Sequence, residues 1–430
     1  MKQHESENIE QAAQQEIPSI LAKRKLLPGD RVLWVIVAMF FAISMVVVYS
    51  ATSQLGFKGG STGEYLQKHI LTLCISAVLM FGCYFMGARF LRKFTWVAYV
   101  GALLLTLSAY VFGSATNDAH RWLDLGFFRF QPSELLKIGT IMLLAARLSA
   151  RHHRIKQIHL LPSTIDVRKW TTPHELSIIK DEILPIVMPI ALSCMAILPA
   201  HTSSAIHLFI VSMIILFIAG IRWQEMTKLT TIAAAAGLLV IFTIGRGGVV
   251  IDRIAEFVGL RKDVHTEQVY RSVMDRYSDS DRSRMAIQNG GVFGVGAGRS
   301  VMRARLTHPE SDYLFAIVVE EFGLILSFVI ILLYLWLFFR ALRIFERCEW
   351  LYAGLLAVGL ALLVTSQGFL HVGVTIGILP ETGQNLPFLT QGRTGMFCAS
   401  IAVGIILSIS RQVEQGSLVP PSQQTDNRHI

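Results

Sequence analysis

Long apolar stretches separated by polar connections organise this chain from residue 32 almost to its end. Val32 to Thr52 carries no charge and reads VLWVIVAMFFAISMVVVYSAT. As a helix it is long enough to cross the roughly 30 Å hydrocarbon core of a bilayer. Comparable stretches recur at 66–86, 94–113, 132–149, 183–200, 203–221, 228–245, 313–339, 351–378 and 394–410. Their recurrence excludes a cleaved signal peptide as the explanation. The pattern predicts an all-α fold, a polytopic membrane helix bundle with about ten transmembrane helices. Residues 1–31 form a polar, Gln- and Glu-rich tail that turns basic at Lys23, Arg24 and Lys25, and 411–430 form a second polar tail around Pro420-Pro421. One transmembrane domain, 32–410, lies between them, and its longest insertion, 246–312, falls between spans 7 and 8. No stretch is long enough for a separate soluble domain, and neither heptads nor a clear internal repeat occur.

Composition agrees with the pattern. Hydrophobic residues make up 53% of the 430 positions and charged residues 16%, where a soluble domain carries roughly 25% charged residues. The formal charge of +9 does not point to nucleic acid, because Lys and Arg collect in the cytoplasmic loops of membrane proteins. Placing both termini in the cytoplasm puts Arg89, Arg92, Lys93, Arg222, Lys228, Arg340, Arg343 and Arg347 on that side, with the basic connection 150–182. Long loops translocate largely regardless of charge, so 246–312 is extracytoplasmic although it holds Arg246, Arg253, Arg261, Lys262 and Arg271. A basic loop on that face suits an anionic partner. The five cysteines show no CxxC spacing, four of them lie in apolar runs, and neither a disulfide nor a metal role is expected.

Ionisable groups inside apolar spans are costly and mark candidate sites. The fourth span opens Gln131-Pro132-Ser133-Glu134-Leu135-Leu136-Lys137, with proline suited to a first helical turn. Glu134 and Lys137, three apart, share one helix face, either as a structural ion pair or as a phosphate site. Just before it, Arg121-Trp122 sets a cation beside an interfacial aromatic, suited to a headgroup or phosphate or simply to an aromatic belt. The run Gly290-Gly291-Val292-Phe293-Gly294-Val295-Gly296 lacks the βαβ context of a dinucleotide fingerprint. It is read as a tight backbone passage offering N–H groups to an anion. Glu320-Glu321 stand in an otherwise apolar helix. The stretch 379–395 mixes Pro, Gly and polar residues with threaded hydrophobics, which predicts a loop that dips back into the bundle.

Four blocks in register resemble the SEDS (shape, elongation, division, sporulation) family of cell-wall polymerases. They are Arg121-Trp122 with Gln131-Pro132-Ser133-Glu134 and Lys137; the glycine run from Gly290; Ser311-Asp312-Tyr313 with Glu320-Glu321-Phe322-Gly323-Leu324; and Leu379-Pro380, Thr382-Gly383 with Leu386-Pro387-Phe388. The resemblance covers nearly the whole chain and leans to the division (FtsW) branch over the elongation (RodA) branch. It implies a peptidoglycan glycosyltransferase of the bacterial cytoplasmic membrane that polymerises lipid II. Its partners would be a class B penicillin-binding protein transpeptidase and other divisome or elongasome membrane proteins. Three departures stand out. The family's Pro-Asp-Leu-Gly-Thr block reads Pro199-Ala200-His201-Thr202-Ser203, and a Gly-Gly pair is replaced by Arg393-Thr394. The Asp-Pro context of the family's catalytic aspartate is missing, and counting back from Gly290 makes Asp275 the nearest carboxylate, followed by Asp279 and Asp281.

Joining a sugar hydroxyl to an anomeric carbon that leaves a pyrophosphate needs a base and cations. Spacing alone makes Asp275, or a neighbouring Asp, the expected base, with Glu320 lining the cavity and next in line. Arg121, Lys137 and Arg393, the last a cation this chain adds where the family has glycine, are expected to hold phosphates, with Trp122 beside them and Glu134 orienting Lys137. The glycines Gly290, Gly291, Gly294 and Gly296 shape a backbone loop. A divalent cation, Mg or Mn, is compatible, but no ligand cluster demands one. Three alternatives stay open: a lipid II flippase, which needs a polar path to both faces, an inactive divisome scaffold, which the missing acid at Ala200 favours, and an unrelated solute transporter.

Overall fold

The computed structural model describes residues 28–53, 62–116, 119–124, 129–161, 179–243, 278–306, 311–390 and 392–418, with the isolated positions 177, 248, 251, 255 and 309. Every predicted span within them is a helix. These are α1 (Arg31–Ser53), α2 (Thr62–Phe85), α3 (Ala88–Phe112), α4 (Pro132–Ala150), α5 (Leu184–Ile197), α6 (Thr202–Ala219) and α7 (Trp223–Thr243). After a polar helix, α8 (Asp279–Gly290), come α9 (Leu314–Glu346), α10 (Leu351–Thr375) and α11 (Arg393–Glu414). Eight of them are long and apolar enough to cross a membrane, all except α4, α5 and the polar α8. α4 falls short because Glu134, Lys137 and Arg147 lie within it. α5 has 14 residues, about 21 Å of helix, and a π-helical turn, Ile179–Ile183, precedes it. The chain is thus a multi-pass membrane bundle.

Charges shift the helix ends away from the hydropathy boundaries. α3 starts at Ala88 rather than 94 because Arg89, Arg92 and Lys93 end the apolar signal without ending the helix. Arg92 lies over the rings of Trp350 and Tyr352. α11 likewise runs to Glu414, past the expected domain boundary at 410.

α10 and α11 form the interior, most of their side chains being buried, whereas α7 is largely exposed. Hydroxyls tie α3, α4 and α5 together: Thr140 meets Ser193 at 2.8 Å, and Ser193 donates to Tyr99 at 3.3 Å. One end of the bundle gathers residues 28–30 with the C-terminal turns of α2, α9 and α11. Tyr84 donates to the Pro28 carbonyl at 2.8 Å, the Asp30 amide to Ser410 at 2.9 Å, and Arg340 Nε to Asp30 at 2.6 Å.

The opposite end carries the loops. A three-stranded antiparallel sheet, β1 (Ser114–Thr116), β2 (Ala119–Asp124) and β3 (Arg129–Phe130), joins α3 to α4. α8 packs against α9 there. The loop 379–392 descends into the core as its apolar residues predict, with Leu386, Phe388 and Leu389 buried. Phe388 stacks on Phe40 of α1 at 5.1 Å, and the Tyr334 hydroxyl donates to the Pro387 carbonyl.

Candidate functional site

The head of α4 is the most unusual electrostatic feature of the loop end. Pro132 in the first turn fixes where the helix begins, and one turn later Lys137 and Glu134 meet at 2.8 Å, both buried. Lys137 has no exposed surface, and its Nζ also donates to Gln367 Oε1 of α10 at 3.1 Å. Gln367 Nε2 in turn donates to the Asn385 carbonyl at 3.2 Å, linking the lysine to the loop 379–392. The Gln131 amide donates to Thr394 Oγ1 at 3.1 Å, so the first turn of α11, which opens with Arg393, lies against the start of α4. A narrow crevice among Glu134, Gln367, Pro387, Gly395 and Cys398 separates these helices. Trp122 is half-buried in β2, with Arg121 its neighbour in the strand. The structure therefore assembles Glu134, Lys137 and the head of α11 at one corner. Sequence reasoning missed Gln367, an amide in an apolar helix, and that polarity was its available signal.

In the glycine run, the amides of Gly294, Val295 and Gly296 are already used within the protein and are not offered to an anion. Helix α9 breaks at Gly323, whose φ of 77° is left-handed. The break frees the carbonyls of Glu320 and Glu321, which accept from the amides of Val295 at 2.9 Å and Gly296 at 3.0 Å. The Leu324 amide returns a bond to the Gly291 carbonyl at 3.1 Å, and the Gly294 amide bonds Gly290 at 2.8 Å. A Cβ on Gly290 would fall 2.1 Å from the Val319 carbonyl oxygen and one on Gly294 2.3 Å from that of Glu321. These glycines interlock the loop with the kinked helix.

Glu320 is wholly buried and surrounded by donors: Asn289 Nδ2 at 2.8 Å, the Val301 amide at 3.1 Å, the Met302 amide at 3.4 Å and the Ser300 hydroxyl. That geometry suits an anchor for residues 289–302, not the available carboxylate a general base requires, and it corrects the expectation that Glu320 lines a reaction cavity. Glu321 pairs with Arg303 at 3.1 Å and accepts from Ser50, tying α1 to the same loop. On α8, Asp279 pairs with Arg282 at 3.0 Å and Asp281 lies 4.0 Å from Arg284. Asp275 lies outside the described residues. Among the described residues, no three His, Cys, Asp or Glu side chains converge to hold a metal ion.

A second polar cluster was not anticipated. His201 caps α6, its Nδ1 accepting from the Ser204 amide at 3.1 Å. That leaves Nε2 to donate to the Gly383 carbonyl at 3.3 Å. His371 of α10 donates through Nδ1 to the next carbonyl, Gln384, at 2.8 Å, and its Nε2 faces the Phe315 amide at 3.5 Å. Two neutral imidazoles thus hold consecutive carbonyls of the dipping loop. Tyr313 donates to Glu381 in the same loop. Of these two histidines, only His371 lies within a predicted apolar span and carried a sequence signal.

Comparison with known proteins follows the same lines. The FtsW/RodA/SpoVE family model, described as cell cycle protein, matches residues 30–415. The chain is 28% identical over 391 residues to the probable peptidoglycan glycosyltransferase FtsW of Coxiella burnetii, covering 89% of this chain and 96% of that one. The protein of the same name from Thioalkalivibrio sulfidiphilus is 30% identical over 312 residues, covering 71% and 70%. Among solved structures, a chain from a peptidoglycan synthase complex that coordinates polymerization and crosslinking gives a TM-score of 0.63 at 20% identity, over 90% of this chain and 98% of that one. The crystal structure of the rod shape determining protein RodA of Thermus thermophilus gives 0.56 at 21% identity, over 90% and 98%. These two likenesses are likenesses of fold.

Proposed function

The chain belongs to the FtsW/RodA/SpoVE family of cell cycle proteins, and from that premise we propose that it is a peptidoglycan glycosyltransferase that polymerises lipid II. The observation that carries the site assignment is the buried Lys137 ammonium at the head of α4. A buried ion pair seldom repays its desolvation in stability, so its placement beside the dipping loop favours a ligand role. In the reaction, an acceptor sugar hydroxyl attacks the anomeric carbon of the donor. Its proton passes to a carboxylate while the C–O electron pair leaves on undecaprenyl pyrophosphate. Lys137 holds that pyrophosphate together with Arg393 and Arg121, and Glu134 keeps the ammonium oriented. Access to Lys137 requires the Gln367–Asn385 link to loosen, which gives the loop 379–392 a gating role. With Glu320 engaged as an anchor, Asp275 takes the part of the base. A divalent cation, Mg or Mn, would arrive with the substrate's pyrophosphate.

In this reading the bundle lies in the bacterial cytoplasmic membrane with both termini inside. Its loop end faces outward, where a class B penicillin-binding protein crosslinks the product. A scaffold role is the second reading, favoured by Ala200-His201 in place of the family's acid and by the engagement of Glu320 and Glu321. Purified full-length chain given labelled lipid II, with and without its transpeptidase, decides between them. Glycan polymer is expected; folded protein that makes none under either condition overturns the enzyme reading.

A further inference from the structure

The end of the bundle opposite the candidate site holds an open cleft of about 520 Å³ that glycosyl transfer does not use. Arg31 at the start of α1 lines it, together with Arg340, Arg343 and Arg347 on one face of the last turns of α9. Two acids share the cleft, and both are committed. Asp30 accepts from Arg340 Nε at 2.6 Å, and Glu414 accepts from the Gly29 amide at 2.6 Å. These bonds latch residues 29 and 30 onto α9 and α11. Among the described residues, no carboxylate lies within ion-pair distance of Arg31, Arg343 or Arg347, and all three side chains are exposed. Three guanidinium groups around one opening repel one another, and a shared anion relieves that repulsion. Their planar forks match phosphate oxygens.

The surface below the arginines narrows the choice of anion. One helical turn from Arg31 lies Val35, 52% exposed, and one turn from Arg340 and Arg343 lie Trp336, 47% exposed, and Phe339, 56% exposed. A ligand with a phosphate head and apolar tails fits such a site, whereas a free phosphate uses only half of it. We propose that this cleft binds the phosphate headgroup of an anionic phospholipid, whose acyl chains lie along the exposed faces of α1 and α9. Bound there, the lipid would neutralise the arginines next to the latch that fixes the N-terminal segment to the bundle.

The test reads lipid binding alone and stands apart from polymerisation. Full-length chain in detergent is titrated with phosphatidylglycerol, cardiolipin or phosphatidylcholine, and retained lipid is counted by native mass spectrometry. Unsubstituted chain should retain the two anionic lipids in preference to phosphatidylcholine. The double variant Arg343→Gln/Arg347→Gln should lose about tenfold or more of that affinity. Arg31→Gln, on the other wall, should also weaken retention, and it stands in if the double variant does not fold. Arg222→Gln, an exposed arginine outside the cleft, should leave it unchanged. Equal retention of phosphatidylcholine overturns the proposal, as does undiminished retention in the cleft variants or an equal loss in Arg222→Gln. Displacement of the lipid by equimolar inorganic phosphate identifies a free-anion site and overturns it too.

Discussion

Glu134 and Lys137 lie 2.8 Å apart in a setting that exposes almost nothing of either side chain. Removing one partner leaves the other charged and buried, a loss of about 3–5 kcal/mol. A single substitution therefore confuses folding with chemistry. Removing both charges, or exchanging them, separates the two. Glu134→Gln combined with Lys137→Met should change thermal unfolding little, since a buried pair contributes little net stability. The same protein should make no glycan, and neither should the exchanged Glu134→Lys/Lys137→Glu chain. Near-normal synthesis by the exchanged chain would show a structural pair and remove the phosphate role. The carboxylates give a paired test. Asp275→Asn should slow polymerisation by roughly a hundredfold, the scale of losing a general base, while Asp279→Asn and Asp281→Asn do much less. Glu320→Gln removes acceptor charge from a cage of donors and should cost about 1–3 kcal/mol of stability. Its rate per folded molecule should stay near that of the unsubstituted chain. A folded Glu320→Gln protein that has lost its activity would return Glu320 to the chemistry.

At the scale of elements, the glycine run and the kink of α9 form one unit. The kink exists because Gly323 takes a left-handed conformation, and it holds because the amides of Val295 and Gly296 satisfy the carbonyls it exposes. Gly294→Ala requires a Cβ 2.3 Å from a backbone carbonyl that cannot move without undoing the kink. It should cost about 3 kcal/mol or more, read as a lower unfolding midpoint and poor accumulation. Gly237→Ala in α7 meets nothing within 4 Å and should be neutral or slightly stabilising. Equal behaviour of the two would mean the interlock is not what holds the loop. Sequence alone made the run conspicuous but not its purpose, because hydrogen bonds from Val295 and Gly296 to residues 320 and 321 are long-range. The sheet at 114–130 and α8 escaped for another reason. Strands of two to six residues and a polar helix leave no apolar period to read.

For the whole molecule, the apolar spans were legible because lipid demands them residue by residue, while the site was legible only in part. The spacing of Glu134 and Lys137 implies their pairing, but Gln367, His201 and His371 join through packing of helices far apart in sequence. Which end faces outward is a separate question, and it bears on the whole mechanism, because a polymerase of exported lipid-linked sugars must present its site on the outer face. The positions of the arginines argue for one answer. Arg340, Arg343, Arg347 and the basic residues near 154 share the end that gathers residues 28–30, and short basic loops stay in the cytoplasm. The opposite end holds α8 and the dipping loop. Arg284 on α8 is about half exposed and falls within 255–285, the part of the long loop expected to be outside. In a background lacking the five native cysteines, Arg284→Cys should react in intact cells with a thiol reagent that cannot cross the membrane. Arg154→Cys, exposed at the other end, should react only after the cells are opened. The reverse labelling would leave the fold and the family intact, but it would put Lys137 and the loop 379–392 on the face that exported sugars never reach, and the polymerase mechanism would fall with it.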